Sequence, residues 1–217
     1  MAGIGKFTFN WFKNLRIKSA LEKQNITSEL AFLKSQINPH FLFNTLNNIH
    51  TLAYKKEEGV AEAIMKLSEL MRYMIYDSNE DLMPMNLETE YLKSFIDLQE
   101  LRFKTKGIVD FQISGNIDAV LLAPLILLAF VENAFKHSDR VDRQGAIVVK
   151  LSLGNQIEFS VTNACSASRS AEQRDGVGGI GLENIKRRLE LIYRNQFELN
   201  IDQVKHEFSV NLIIEKL

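Results

Sequence analysis

The spacing of apolar residues changes near Gly107, and this change limits the folds open to the chain. Before it, apolar residues recur every three or four positions, as on one face of an amphipathic helix. After it, segments that alternate between apolar and polar residues, typical of half-buried strands, are mixed with helical segments. This order predicts an α+β fold in which a mixed sheet is covered by helices on one face, forming a sandwich.

Two helical segments, at about 17–54 and 60–74, precede the change. Their apolar stripes are formed by Leu30, Leu33, Ile37 and Phe41 in the first and by Val60, Ala63, Ile64, Leu67, Leu70, Met71 and Met74 in the second. Because a turn at Gly59 joins them, they predict an antiparallel hairpin. A lone hairpin cannot bury both stripes, so a four-helix homodimer is the expected completion.

Residues 81–84 interrupt the helical pattern and mark a domain boundary. Asn86 is predicted to cap the next helix, with Glu88 and Glu90 favourably placed for the helix dipole. The later elements are predicted as a strand at 108–114, a helix at 123–137, strands at 146–153 and 156–162, a helix at 182–194, and strands at 197–201 and 207–214. The predicted division is a leader at 1–16, a hairpin at 17–82 and an α/β sandwich domain at 83–217.

Composition excludes several classes of protein. The formal net charge is -1, which provides no basic field to favour nucleic acid. Cys165 is the single cysteine, so an internal disulfide framework is excluded. No apolar run reaches the roughly 18 residues expected of a membrane span. The aromatic and basic residues within 1–16 fit either a belt beneath a membrane span or an added leader.

Residues 38–44 (NPHFLFN) place a histidine directly after a proline inside the first helix. Pro39 removes a backbone donor and is expected to kink the helix. Because a neutral imidazole nitrogen is nucleophilic near neutral pH, His40 is either a phosphoryl acceptor or an ordinary hydrogen-bonded histidine. Asn44 lies one turn later on the same face, where it can orient the ring or a phosphoryl group.

Residues 132–137 (ENAFKH) form a second polar motif at the end of an apolar helix. Asn133, Lys136 and His137 stand at i, i+3 and i+4 and project together. An amide oxygen suits Mg²⁺ and the basic pair suits phosphates, whereas the alternative is a solvated helix end whose basic residues favour the dipole. Glu132 points partly away from this set, which suggests a role as a base or in orienting water.

Glycines are concentrated at 176–181, just before a predicted helix. Such a segment lets the backbone approach a ligand, and the helix that follows offers unpaired N–H groups to phosphate. The segment does not follow a strand directly and lacks the Gly-Lys-Ser/Thr ending, so it matches neither the dinucleotide fingerprint nor a P-loop. We interpret it as a mobile lid over a nucleotide.

These three motifs, in this order, resemble those of sensor histidine kinases of the LytS/YehU-like group. The resemblance covers residues 30–217: residues 36–44 resemble the phosphoacceptor motif, 131–137 the N box of the ATP-binding fold shared with gyrase, Hsp90 and MutL, and 179–184 the second glycine box. It implies a dimerising, phosphoaccepting hairpin followed by a GHKL (Bergerat) ATP-binding domain. The implied activity is ATP-dependent autophosphorylation of a histidine and phosphoryl transfer to a response regulator.

The resemblance assigns roles residue by residue. His40 is the implied acceptor with Asn44 beside it, and Asn133 is the implied Mg²⁺ ligand. The implied nucleotide contacts are Asn133, Lys136, His137, Asn163, Gly176, Gly178, Gly179, Gly181 and Leu182. Phe41 stands where many histidine kinases have an acid, so Glu132 is the substitute base. Asn163 replaces the aspartate of an Asp-x-Gly-x-Gly box; its amide can accept from the adenine amino group and donate to the ring nitrogen.

Two alternatives share these features. An ATPase or chaperone of the same fold needs a glutamate four residues before the Mg²⁺ asparagine, and Ala129 stands there. A degenerate, non-catalytic dimeric scaffold is favoured by the altered adenine box and disfavoured by the intact His40 and Asn133. The resemblance further implies a homodimer, a response regulator of the LytTR type, no direct nucleic-acid contact, and a cytoplasmic location beneath a bacterial inner membrane reached through a further N-terminal segment.

Overall fold

The computed structural model describes residues 39–75, 80–103, 105–118, 120–138, 141, 143–165, 180–204 and 206–216. The chain divides into two compact units, Met1–Pro39 and His40–Leu217. The second unit contains all of the described residues except Pro39. The leader at 1–16, the first part of the predicted hairpin, the segment before Pro39 and the glycines at 176–179 lie outside the described residues.

Five helices and seven strands form the described part of the chain. The helices are α1 Pro39–Tyr54, α2 Val60–Ile75, α3 Met85–Glu100, α4 Ile126–His137 and α5 Ile180–Tyr193. The strands are β1 Met83–Pro84, β2 Val109–Gly115, β3 Leu121–Leu122, β4 Ile147–Leu153, β5 Gln156–Ala164, β6 Phe197–Val204 and β7 Glu207–Glu215. Within these residues no helix is both long enough and apolar enough to cross a bilayer.

The main sheet is mixed and has the strand order β2-β4-β5-β7-β6. Strands β2 and β4 run parallel, whereas every other neighbouring pair is antiparallel. A parallel pair needs a long crossover, and here the connection contains α4. The short strands β1 and β3 form a separate antiparallel ribbon.

One face of the sheet is buried beneath helices. Alternate residues of the central strands are inaccessible, namely Ile147, Val149 and Leu151 in β4, Ile157, Phe159 and Val161 in β5, and Val210, Leu212 and Ile214 in β7. Helix α4 packs on β5, where the rings of Phe130 and Phe159 have centroids 6.2 Å apart. The observed α+β architecture, with a mixed sheet covered on one side, confirms the predicted fold class.

Helix α3 connects the helix pair α1–α2 to the layer that covers the sheet. Its Phe95 lies 4.8 Å from the ring of Phe41 on α1 and 6.3 Å from that of Phe135 on α4. On α2, Tyr73 stacks on Tyr91 of α3 with centroids 3.7 Å apart. The apolar faces of both hairpin helices therefore contact α3.

The predicted start of α3 was wrong by two residues. Pro84 occupies the N-cap position and makes no side-chain cap, while Asn86 lies within the helix. The reason is the β1–β3 ribbon, because the Met85 N–H continues that pairing by donating to the Val120 carbonyl at 2.8 Å. Strand pairing fixes where the chain turns into the helix, so no capping side chain is needed at Asn86.

Candidate nucleotide and phosphoacceptor sites

Asn163 lies near the end of β5 on the buried side of the sheet. It is 2% exposed, and its Oδ1 has no hydrogen-bond partner within the described residues. The Nδ2 group donates to the Ala164 carbonyl at 3.3 Å. Leaving such an acceptor unsatisfied costs about 1–3 kcal/mol, so the arrangement suggests a ligand that donates to Asn163.

A cleft of about 550 Å³ opens at this end of the sheet. Its lining residues are Arg143, Gly145, Ala146, Val148, Thr162, Asn163, Ala164, Cys165, His206 and Glu207. The Cys165 N–H donates to the His206 carbonyl at 2.8 Å, which ties the end of β5 to the start of β7. The cleft therefore combines an unsatisfied amide with charged groups of both signs.

Helix α4 carries the second predicted group of site residues. Asn133, Glu132 and His137 are half-buried and Lys136 is exposed, and none of the four belongs to the cleft lining. Helix α4 nevertheless packs on β5, the strand that carries Asn163, and the next strand along the chain begins at Ile147, the register partner of Asn163. The structure thus places Asn133 and Asn163 on packed elements.

Helix α5 follows the glycine-rich segment and packs against α4. Gly181 and Leu182 belong to its first turn, and Leu182 is buried. Gly176, Gly178 and Gly179 lie outside the described residues, so their predicted contribution stays a prediction. The structure shows that α5, the helix that follows the glycine-rich segment, packs beside α4, which carries Asn133.

The predicted acceptor, His40, lies in the first turn of α1, and its side chain falls outside the described set. Asn44 follows one turn later and is half-buried. The neighbouring Phe41 is buried against Phe95, which in turn contacts Phe135, two residues beyond Asn133. A chain of aromatic rings therefore joins the start of the acceptor helix to α4, a contact that sequence reasoning did not anticipate.

Sequence reasoning also missed a buried polar cluster around Glu88. Glu88 was interpreted only as a dipole-compensating residue, yet it is 1% exposed and accepts a hydrogen bond from the Tyr73 hydroxyl. A signal was present, since Glu88 stands at i+3 from Met85 and four residues before Leu92, both of which are fully buried. A charged residue in the middle of an apolar stripe is the pattern that identifies it.

The described residues contain no group of three or more His, Cys, Asp or Glu side chains able to hold a metal. A Mg²⁺ ion bound with a nucleotide takes most of its ligands from phosphate oxygens and water, with one or two from protein. A single amide such as that of Asn133 fits this demand.

Known proteins resemble the chain over most of its length. A family profile described as histidine kinase matches residues 28–107. Sensor protein LytS of Staphylococcus haemolyticus is 24% identical over 82% of this chain and 32% of its own length. Sensor protein LytS of Bacillus subtilis is 30% identical over 51% of this chain and 19% of its own length. The chain thus spans a third or less of each of these two relatives.

Among solved structures, the histidine kinase domain of the blue-light activated histidine kinase from Erythrobacter litoralis EL346 aligns with a TM-score of 0.44. Its sequence identity is 14%, and the alignment covers 88% of this chain and 93% of that one. The profile match includes His40 and the whole of α3, and the match to LytS of Staphylococcus haemolyticus, at 82% of the chain, extends beyond the profile into the sheet. The profile and the LytS proteins together show that the chain is similar to sensor histidine kinases of the LytS type.

Proposed function

We propose that the chain is the catalytic core of a sensor histidine kinase that uses ATP to phosphorylate His40 and then transfers the phosphoryl group to an aspartate of a response regulator. The observation that carries the proposal is the buried, unsatisfied amide oxygen of Asn163 beside a cleft of about 550 Å³. The adenine amino group would donate to this oxygen. The cleft volume falls in the range of small-molecule sites.

Residues on α4 would bind the metal and the phosphates. Asn133 is the proposed Mg²⁺ ligand, because amide oxygens are hard ligands that this ion accepts. Lys136 and His137 follow on the last turn and add positive charge for the triphosphate. A bound Mg²⁺ supplies charge neutralisation, which together with positioning accounts for most of phosphoryl-transfer catalysis.

His40 is the proposed nucleophile. A neutral imidazole nitrogen would bond to the γ-phosphorus as the bond from that phosphorus to the β–γ bridging oxygen breaks and ADP leaves. The proton on the other ring nitrogen then passes to a base, a role we assign to Glu132 on α4, and Asn44 would orient the ring. The ring contacts from Phe41 through Phe95 to Phe135 support this assignment, because they link the start of α1 to α4 through α3 within one chain.

The remaining partners follow from the helix pair and the family. The proposed assembly is a homodimer through α1 and α2, and the proposed phosphoryl acceptor is a response regulator of the LytTR type. Large apolar side chains are exposed on both helices, among them Phe43, Leu46 and Tyr54 on α1 and Ile64 and Met65 on α2. A second copy of the helix pair would cover them.

Incubation with γ-labelled ATP tests the proposal. We expect one acid-labile, alkali-stable label per chain, the behaviour of a phosphoramidate, and its loss in His40→Gln. His50→Gln is the matched control, because His50 is exposed on the same helix and should leave the labelling unchanged. ATP affinity measured by calorimetry should not change in either variant.

Each alternative function predicts a different outcome. An ATPase of this fold would release phosphate without stable label, and Ala129 provides no carboxylate to activate water. A scaffold would bind or ignore ATP and carry no label. Label that persists in His40→Gln would contradict the assignment of the acceptor.

A further inference from the structure

A buried polar cluster joins four helices and shares no residue with the cleft lining. It consists of Tyr73 on α2, Glu88 on α3, the backbone N–H of Leu125 just before α4, and Arg188 on α5. Glu88 is 1% exposed and Arg188 is 6% exposed. The Tyr73 hydroxyl donates to Glu88 Oε2, and the Leu125 N–H donates to the same oxygen at 3.0 Å. So many buried polar groups at one junction require a reason.

The first turn of α4 needs an acceptor that its own sequence does not provide. Leu125 occupies the N-cap position with φ 64° and ψ 11°, a left-handed conformation that is costly for a leucine, and it makes no side-chain cap. The first N–H groups of a helix lack partners within it, and negative charge there is favourable. Glu88, a residue of α3, therefore accepts a hydrogen bond at the start of α4 in place of a capping side chain from α4 itself.

This cap sits at the far end of the helix that carries Asn133. Helix α4 is 12 residues long, so a tilt or slide of its first turn moves Asn133 with it. The Tyr73 hydroxyl that meets Glu88 comes from α2, and the Tyr73 ring also stacks on Tyr91 of α3. The Glu88 side chain thus contacts both Tyr73 of the helix pair and the start of α4, the helix that carries Asn133.

Resting on the proposed function, we propose that Glu88 is a positioning residue for phosphoryl transfer, which holds the start of α4 and, through the Tyr73 hydroxyl, fixes it relative to the helix pair that carries His40. Phosphoryl transfer requires the attacking nitrogen and the γ-phosphorus to lie in line within about 3–3.5 Å of each other. A misplacement of about 1 Å lowers the rate of the reaction strongly. A buried hydrogen-bonded link between α2 and α4 serves that need without touching the nucleotide.

An amide at position 88 separates the hydrogen bonds of Glu88 from its charge. Burial raises the pKa of Glu88, and this outweighs the lowering effects of the Tyr73 hydroxyl, the Leu125 N–H and the positive charge of Arg188. Burial likewise lowers the pKa of Arg188. Glutamine at position 88 presents an amide oxygen to the same two donors, so Glu88→Gln should keep the hydrogen bonds from Tyr73 and Leu125 while removing the carboxyl group.

Three variants separate positioning from packing. Tyr73→Phe keeps the ring stacked on Tyr91 and removes the hydroxyl, which donates to Glu88 and also accepts from the Leu125 N–H at 3.2 Å. We therefore expect the labelling rate of His40 to fall by about tenfold, with KM for ATP unchanged. Glu88→Ala removes the cap as well and should raise KM in addition. Glu88→Gln keeps an acceptor and should restore labelling to within about threefold of wild type.

Amide hydrogen exchange gives a readout independent of activity. The Leu125 N–H should exchange faster in Glu88→Ala than in the wild type and should regain protection in Glu88→Gln. Ile214→Val, a packing change in the buried face of β7, serves as the control that lowers stability without altering exchange at Leu125 or the kinetics.

Wild-type labelling and exchange in folded Tyr73→Phe and Glu88→Ala would overturn the inference while leaving the proposed function intact. If Glu88→Ala does not fold, Tyr73→Phe and Glu88→Gln decide the question, since both preserve the shape of the cluster. Absence of label on wild-type His40 would instead contradict the proposed function, and with it the positioning role.

Discussion

At the scale of single residues, the amide of Asn163 is the proposed contact to the adenine base. Its unsatisfied Oδ1 can accept from the amino group of adenine, and rotation of the amide presents donors instead. We expect Asn163→Ala to weaken ATP binding by about fivefold, since one hydrogen bond in a buried site is worth roughly 1 kcal/mol. Asn163→Asp can only accept, so it should favour ATP over GTP more strongly than the wild type does. Calorimetry with both nucleotides measures these differences.

Ser160→Ala is the control for this prediction. Ser160 lies on the same strand, faces the other side of the sheet, and is not among the residues that line the cleft. The affinity of this variant for ATP should equal that of the wild type. Equal affinities in Asn163→Ala and Ser160→Ala would remove Asn163 from the nucleotide site.

The residues that sequence reasoning identified stand in local motifs, whereas the partners of the residue that it missed are far apart in the sequence. His40, Asn133 and Asn163 stand in short motifs whose neighbours along the chain suggest their chemistry. The Glu88 cluster unites positions 73, 88, 125 and 188, which only the tertiary fold brings together. The positions of Met85 and Leu92 around Glu88 are a signal of burial that our interpretation as a dipole-compensating residue did not use, and no pattern in the sequence indicates the partners of Glu88.

At the scale of elements, the parallel pair β2–β4 depends on one glycine. Gly115 has φ 89°, and a Cβ added there would overlap the Leu153 carbonyl oxygen across the pair. We expect Gly115→Ala to lower the free energy of unfolding by about 2 kcal/mol or more, because the left-handed backbone and the backbone contact must both be relieved. Denaturant unfolding followed by circular dichroism measures the change.

Two other glycines separate the contributions. At Gly154 an added Cβ meets nothing within 4 Å and the backbone is not left-handed, so Gly154→Ala should stay within about 0.5 kcal/mol of wild type. Gly59 also meets nothing but has φ 87°, so Gly59→Ala should lose about 1 kcal/mol from backbone strain alone. If all three variants were equally stable, the close contact at Gly115 would have no energetic role.

Periodicity predicted the elements well because most of them pack one face and expose the other. The strand β4, predicted at 146–153, is Ile147–Leu153, and the helix predicted at 182–194 is Ile180–Tyr193. The helix predicted from 123 begins at Ile126, because residues 121–122 pair with β1 and Leu125 turns left-handed. The prediction that Asn86 caps α3 was wrong for the same reason. The ribbon β1–β3 fixes the start of this helix, and it has too few residues to produce a pattern in the sequence.

At the scale of the whole molecule, the helix pair leaves an apolar surface that the described part of this chain does not cover. On α1, Phe43, Leu46 and Tyr54 recur at near-helical spacing and are 67%, 52% and 83% exposed. On α2, Ile64 and Met65 are 48% and 60% exposed. The opposite faces of the same helices bury Phe41, Ile49, Ala63, Leu67 and Leu70. Each helix therefore has two apolar faces, of which one packs internally.

We expect the chain to form a homodimer through this surface, because covering it removes large apolar side chains from water at about 25 cal/mol per Å². Light scattering at micromolar concentration should give a mass near twice 24.8 kDa. The double variant Phe43→Glu, Met65→Glu should give the mass of one chain, since both carboxylates would be buried without partners at the interface. Val204→Glu, which replaces an equally exposed apolar residue on β6, should remain dimeric. A wild-type mass of one chain would exclude the dimer. A dimer that survives the double variant would show that its interface lies elsewhere on the chain.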